Sequence, residues 1–523
     1  LNRLFTNPIL PGSYADPSIC RVGKDFYLVT SSFEYYPGIP VFHSRDLVHW
    51  RQIGHVLDRP SQLNLDGTPC SKGIYAPTIR YHDGLFYVSS TFVESATGAR
   101  RNFYVTATSA FGPWSDPIWL PEAPGIDSSL FFDDDGKCYI LANRKPPSGQ
   151  LYPKHMEIWM QELDVNQGRL LGPKYSLWEG AQKWIHAQEA PHLYKLNGYY
   201  YLFIAEGGTG FTHSVTVARS QSITGPYEGC KSNPILTHCH LGRSHPITNI
   251  GHADIIQTED GEWWMVCLGS RPYGGFSNLG RETFLVPFIW EEDWPVVNPG
   301  IGKVELKLPC PSLSIHPWPT ERACDHFDTD TLAYYWNYLR TPRQSFLSLT
   351  DRPGFLRLKL KPDKITEVSN PSFIGRRQQH KDFAVRTVME FTPNNEYEKA
   401  GLVLFQNHDF QYRVEYSLKH MNKLVTVIAR IDGVEQVLAE HILPDSKTND
   451  RLFIKVEASG QQYSFYFASK AEQWIPLYEK ADGTILSMEK VKGFSGAYIG
   501  LFTSSNGKQS DNYADFDYFE YLP

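Results

Sequence analysis

"APTIRYHDGLFYVSST", residues 76–91, places two strand-like runs around an Asp-Gly pair. Asp-Gly and Asn-Gly suit a two-residue hairpin turn, because both central positions need φ > 0. Four more stretches follow the same order of aliphatic run, turn and aromatic-rich run. They are "DPSICRVGKDFYLVTSS" (16–32), "DSSLFFDDDGKCYILAN" (127–143), "APHLYKLNGYYYLFIA" (190–205) and "HADIIQTEDGEWWMVCL" (252–268). Aligned on Tyr27, Tyr87, Tyr139, Tyr201 and Trp264, the units recur at intervals of 60, 52, 62 and 63 residues. A third run also repeats, in "VFHSRDLVHW" (41–50), "VTATSAFGPW" (105–114) and "VARSQSITGPY" (217–227), each ending in a turn and an aromatic. Helical periodicity is nearly absent. Five copies of a several-stranded hairpin unit predict an all-β fold, a five-bladed β-propeller. A long β-sandwich with coincidental turns is the competing arrangement.

The repeat ends near residue 290, after "LGRETFLVPFIWEEDWP". A proline-rich stretch follows, "ELKLPCPSLSIHPWPTERA" (305–323), which reads as a linker. Beyond it come some nine runs with polar–apolar alternation, among them "FLRLKLK" (355–361), "LVTVIARI" (424–431) and "GAYIGLFTSS" (496–505). These predict a two-sheet antiparallel sandwich. The expected division is a propeller over 1–304, a linker over 305–325 and a sandwich over 326–523. At 523 residues the chain exceeds one ordinary core, which agrees with two domains.

Lys and Arg total 50 against 57 Asp and Glu, for a net charge of -7 with no basic stripe, so a nucleic-acid partner is not expected. No run approaches the roughly 18 apolar residues of a membrane span. The eight cysteines form no CxxC pair, which argues against zinc and against a redox dithiol. Aromatics make up 14% of the chain, which suits a β fold and equally a protein that stacks on sugar rings. The chain opens at Leu1 without Met or a signal peptide. Secretion is therefore favoured slightly over the cytoplasm.

In a propeller the first strand of each blade lines the central channel, so equivalent first residues meet near the axis. Those residues are Asp16, Ala76, Asp127, Ala190 with Glu189 just before it, and His252. Singly, the aspartates could cap turns, Glu189 could be a surface acid and His252 a core histidine. Together, three carboxylates around an open cavity are what glycosidic cleavage needs: one acid for the leaving oxygen and one base for water. A third carboxylate can raise the acid's pKa by like-charge repulsion. Arg281, in "LGRET" (279–283), could bind a sugar hydroxyl and pair with a carboxylate. Phe33, Tyr35, Tyr36 and Tyr75 lie by the same mouth, either to stack on a sugar or as plain core.

These motifs, in this order and spacing, resemble glycoside hydrolase family 43, in its two-domain β-xylosidase and α-L-arabinofuranosidase branch. "NPILPGSYADPSI" resembles the family's general-base motif at Asp16, and "QEAPHLYKLNGYYYL" its general-acid motif at Glu189. "GIDSSLFFDDDGKCYI" resembles the stretch whose aspartate, Asp127, tunes and orients the acid. "GHADIIQT" and "LGRET" resemble the family's active-site histidine and arginine, at His252 and Arg281. The resemblance implies an inverting, exo-acting hydrolase that releases one terminal pentose from hemicellulose, such as arabinoxylan and xylo-oligosaccharides. It implies a sandwich loop narrowing the pocket, best matched by "KGFSGAYIG" (492–500) with Phe494 as a contact. In some relatives the histidine holds a hydrated calcium ion, which here leaves His252 as the metal ligand, with waters completing the shell. Relatives are often homo-oligomers. Many β-xylosidases carry tryptophan where this chain has Tyr75, and "EGGTGFTHSVTVARS" and "RPYGGFSNLGRET" look closer to the arabinofuranosidase-leaning branch. Both pentoses are therefore expected substrates.

Two other readings share the architecture. A retaining fructan hydrolase resembling invertases would carry Asn-Asp-Pro-Asn, Arg-Asp-Pro and Glu-Cys. Here "ADPS" and "EAP" stand instead, and no Arg-Asp-Pro occurs. A non-catalytic carbohydrate-binding propeller would not need three acids at the channel mouth.

Overall fold

The opening hairpin forms as its turn chemistry dictates. His82 pairs with Leu85, and Asp83 and Gly84 between them have φ of 47° and 81°. Asn197 and Gly198, with φ of 49° and 80°, make the matching turn between Leu196 and Tyr199. The computed structural model describes residues 3–94, 97–443 and 451–523. Five antiparallel sheets follow one another in the chain, beginning at Ser18–Val22, Thr78–His82, Ser129–Phe132, Glu189–Leu196 and Thr248–Gln257. These first strands touch one another around a ring, so the sheets are blades I to V of a propeller. The aromatic ending the third run closes its own turn. Trp50 Nε1 donates to Leu47 O at 2.8 Å, and the Tyr227 hydroxyl to Ile223 O at 2.9 Å.

Apolar burial lies between blades rather than at the axis. Ile39 and Val41 of blade I pack with Ile79 and Val88 of blade II, and Leu130 and Ile140 of blade III with Tyr87 and Tyr104 of blade II. The axis is left to polar groups, and its hub is Asp254, fully buried on the first strand of blade V. Its carboxylate accepts from Ser18 Oγ (2.6 Å) and Ile19 N (3.0 Å) of blade I. It also accepts from Arg80 of blade II (2.9 and 3.2 Å) and from the Tyr194 hydroxyl of blade IV. Burial opposes its charge, but Arg80, His192 and the Ser18 hydroxyl outweigh burial and hold the carboxyl well below the usual range. Blade III is tied in from its neighbours, by Ser89 Oγ to Ser128 O (2.7 Å) and Ser129 Oγ to Pro191 O (2.5 Å).

The ring is closed by the segment before blade I. Asn7 exchanges two hydrogen bonds of 2.9 Å with the backbone of Leu285 in blade V, and Leu10 bridges Thr283. Within 305–325, Lys307–Pro309 pairs with Leu4–Thr6, and Cys324–Asp325 with Phe519–Glu520. Between them, Ser312 and His316 are held by Glu262 and Asp46 of the propeller.

The C-terminal part is two stacked sheets of eight strands each, more than the nine runs expected. The added strands are two- or three-residue pieces such as Asn337–Leu339, the strand Ser372–Arg377, and the strands Val434–Ile442 and Ile475–Asp482. The last two expose most of their length and lack the apolar alternation that marks a half-buried strand. One of the sixteen strands comes from the propeller. Tyr35–Tyr36 pairs with Asn337–Leu339, and Tyr35 stacks on Tyr498 with ring centroids 3.7 Å apart.

Removing one member of the buried Arg80–Asp254 pair leaves an uncompensated charge, which costs about 3–5 kcal/mol. Arg80→Met should therefore lower the thermal midpoint by several degrees relative to the exposed control Arg45→Met. Equal midpoints would mean the axis is held by something else.

Candidate active site

The register that predicted a convergence has a backbone signature. Asp16, Asp127, Ala190 and His252 all sit at φ between 51° and 58°, while Ala76 does not share this conformation. Left-handed backbone costs about 1–2 kcal/mol at a residue with a Cβ, and aspartate and histidine are among the side chains that visit it most readily. Four of the five blades thus carry the same strained residue at this register, ahead of the first strand in blades I and III and at an irregularity within it in blades IV and V, a feature that clusters at functional sites. The offset of Glu189 follows directly. Ala190 holds the register position, Glu189 precedes it opposite Ala205, and a bulge separates Glu189 from His192. Blade V has a comparable irregularity between Gly251 and Asp254.

Asp16 is 5% exposed. Its Oδ1 accepts from Arg281 Nη1 at 2.9 Å and lies 3.5 Å from His252 Nδ1, and its Oδ2 accepts from the Ser31 hydroxyl. Burial alone would raise its pKa. Arg281, His252 and the Ser31 hydrogen bond outweigh burial and pull the carboxyl below its ordinary value. Burial also pushes His252 down, toward the neutral imidazole.

Asp127 and Glu189 receive the opposite treatment. Asp127 is 7% exposed, and burial followed by the Glu189 and Asp16 charges raises it well above the ordinary range. Glu189 is pushed up to about 7 by burial and by Asp16, against the opposing pull of Arg281, Arg100 and Lys154. The two acids titrate as a pair, so a proton is retained there at pH values where an isolated carboxyl has lost it.

A cavity of about 1250 Å³ opens on this cluster and is lined by Glu189, Tyr75 and Phe494 among others. Asp16 and Asp127 are buried and are not among its lining residues. Phe33 of blade I, Tyr75 of blade II and Phe494 of the sandwich form a three-ring clamp, with centroids 5.8, 6.2 and 6.4 Å apart. The Arg281 guanidinium lies over both Phe33 and Phe494, at 5.6 and 5.7 Å, and its Nε donates to Phe494 O. Ala76 is buried beside Tyr75 and contributes no polar group.

Two further residues, unremarked in the sequence, set the clamp. Ser71 Oγ accepts from Phe494 N (2.9 Å), and Ser71 O accepts from the Tyr75 hydroxyl (3.2 Å). Ser71 N in turn donates to Glu34 Oε2 (2.9 Å), a fully buried carboxyl that burial pushes up to about 7. Behind Phe494, Gly496 and Gly280 leave no room for a side chain: a Cβ on Gly496 would lie 2.6 Å from the Leu279 backbone.

The calcium implied by resemblance finds few donors. Among the described residues no cluster of three or more His, Cys, Asp or Glu side chains gathers to hold a metal ion. Asp16 is already engaged by Arg281, and Asp254 by Arg80. An ion beside His252 would rest on one nitrogen and waters, a poor set for a hard cation. No chemical step is routed through it.

Comparison with known proteins places the chain in a family. The description of glycosyl hydrolases family 43 matches residues 5–295, and that of the beta xylosidase C-terminal concanavalin A-like domain matches residues 324–522. The chain is 47% identical to a xylosidase/arabinosidase of Butyrivibrio fibrisolvens, over 99% of both chains. It is 40% identical to a non-reducing end alpha-L-arabinofuranosidase of Bacteroides ovatus, over 99% of this chain and 95% of that one. Its fold matches the crystal structure of a xylan beta-1,4-xylosidase from Bacillus halodurans C-125 with a TM-score of 0.94, at 36% identity over 99% of this chain and 100% of the other. With the catalytic-domain description over residues 5–295, the C-terminal domain description over 324–522 and a relative 47% identical over 99% of the chain, the chain belongs to glycoside hydrolase family 43, in its two-domain branch.

Proposed function

We propose that this protein is an exo-acting, inverting glycosidase that releases terminal α-L-arabinofuranose and β-D-xylose from hemicellulose oligosaccharides. The observation that carries this reading is the split in the acids. Asp16 is held ionised by Arg281, while Glu189, at the cavity wall, is pushed up to about 7. Inversion in one displacement needs a base and a protonated acid at the same pH. Asp16 takes a proton from a water on the face opposite the leaving group. Glu189 gives its proton to the glycosidic oxygen as that bond breaks, and the water oxygen forms the new bond to the anomeric carbon. Asp127 shares the titration with Glu189, so the pair holds a proton at a pH where Asp16 is ionised. Arg281 and His252 fix Asp16 and bind sugar hydroxyls.

The ring clamp supports exo action, because Phe494 of the sandwich lies against Phe33, Tyr75 and Arg281 and narrows the space beside the acid cluster. The xylosidase and arabinosidase names of the relatives support both pentoses and disfavour the fructan hydrolase reading.

The acid and base can be told apart by leaving group. Glu189→Gln should lower kcat/KM about 10²–10⁴-fold on an oligosaccharide, and far less on a 4-nitrophenyl pentoside, whose phenolate leaves without a proton. Asp16→Asn should lower both alike. Equal losses for Glu189→Gln on both leaving groups would contradict its role.

The pH profile of kcat/KM follows from the same shifts. Activity rises with pH as Asp16 ionises, below about pH 4, the ordinary aspartate value. It falls as Glu189 loses its proton near pH 7. On 4-nitrophenyl substrates Glu189→Gln should abolish the alkaline limb and leave the acidic one.

Phe494→Ala should raise KM roughly fivefold, the worth of about 1 kcal/mol of ring contact, with a smaller change in kcat. A kcat loss at constant KM would mean that Phe494 acts on chemistry instead.

A further inference from the structure

The cavity above Glu189 is larger than a terminal pentose requires. Its volume of about 1250 Å³ exceeds the roughly 300–1,000 Å³ of a pocket for a drug-sized ligand, so it has room for several sugar units on the leaving-group side. Its wall has one sign of charge. Lys72, Arg100, Lys145, Lys154 and Arg243 all line it, and each is exposed. None of the five makes an ion pair among the described residues, whereas Arg144, which also lines the cavity, is neutralised by Glu157 at 2.6 Å. Glu189 is the one carboxylate among the described lining residues.

Such a wall is out of balance with a chain whose net charge is -7. Like charges around a cleft repel one another and focus a positive field into it. The field also works against the chemistry, since Arg100 and Lys154 pull Glu189 toward losing the proton it must donate. Neutral sugar hydroxyls do not call for that arrangement; an anion in the cleft relieves both costs. The wall is partly preformed, because the Arg243 guanidinium lies 4.1 Å over the Phe211 ring. Trp184, 73% exposed and packed against Tyr152, offers an aromatic face two residues from the cavity's His186. A flat exposed ring suits a sugar chain rather than a compact ion.

Resting on the glycosidase reading above, we propose that the leaving-group side of this cavity binds the carboxylate of a uronosyl unit. The preferred substrate is then an acidic hemicellulose oligosaccharide carrying the terminal pentose.

The test compares one oligosaccharide with a uronosyl group downstream of the terminal pentose and the same compound after reduction of its carboxyl to an alcohol. At low salt the acid form should be cleaved with kcat/KM about tenfold higher. The ratio should fall toward one at about 0.5 M salt, where the screening length shrinks to a few ångströms. It should also fall toward one in the triple variant Lys145→Gln, Lys154→Gln, Arg243→Gln. A bound carboxylate should move the alkaline limb of the kcat profile upward for the acid form relative to its reduced partner. A wild-type ratio at or below one, with the reduced compound still cleaved, overturns this inference and leaves the glycosidase reading standing. An unchanged ratio in the triple variant also overturns it. Absence of pentose release from both compounds and from 4-nitrophenyl pentosides overturns both readings.

Discussion

The buried ion pair between Arg80 and Asp254 is the constraint on which the site depends. A propeller brings five strand edges to one axis, and the polar groups there must be paired because water is excluded. Asp254 meets this demand by joining blades I, II, IV and V at one carboxylate. The strands it pins carry the chemistry. Ser18 lies two residues beyond Asp16, Asp254 two beyond His252, and Tyr194 five beyond Glu189. The separation of base and acid is thus inherited from the axis, where bidentate hydrogen bonding to a charged pair resists distortion.

Around this frame the same residue type is given opposite states. Asp16 has a guanidinium and a hydroxyl in direct hydrogen bond, and its charge is favoured despite burial. Asp127 and Glu189 have each other and, among the described residues, no ion pair, so burial wins. One arginine, placed against one carboxylate and not the others, separates base from acid. The same arginine reaches Phe494 of the second domain. The sandwich is thereby part of the pocket, and the propeller repays the contact by supplying Tyr35–Tyr36 as an outer strand of a sandwich sheet.

Much of this was legible in the chain because hairpin chemistry is local. Asp83-Gly84 and Asn197-Gly198 state their turn type in two letters, and with the turns at Gly23, Gly136 and Gly261 at similar spacing they define the blades and the register of Asp16, Asp127 and His252. The hub was not legible. Arg80 and Asp254 sit inside runs that read as ordinary strands, and only the closed ring reveals that they meet. The signal available was a charged residue at an inward position of each run, in "TIRYH" and "HADII". Glu34 and Ser71 were hidden for the same reason, since their role depends on a loop more than 400 residues further along the chain. The bulge that offsets Glu189 leaves no pattern beyond the Ala-Pro pair following it. Most missed sandwich strands are exposed or very short, and Ser372–Arg377 is buried along its whole length, so none shows the polar–apolar alternation that marks a half-buried strand.

The most direct measurement of this division between base and acid is the anomer first released. Proton NMR during cleavage of a β-xyloside, recorded before mutarotation, should show α-xylose appearing first if a water poised by Asp16 attacks opposite the leaving group. Initial appearance of β-xylose would mean a covalent, retaining route, in which Asp16 cannot be the base described here.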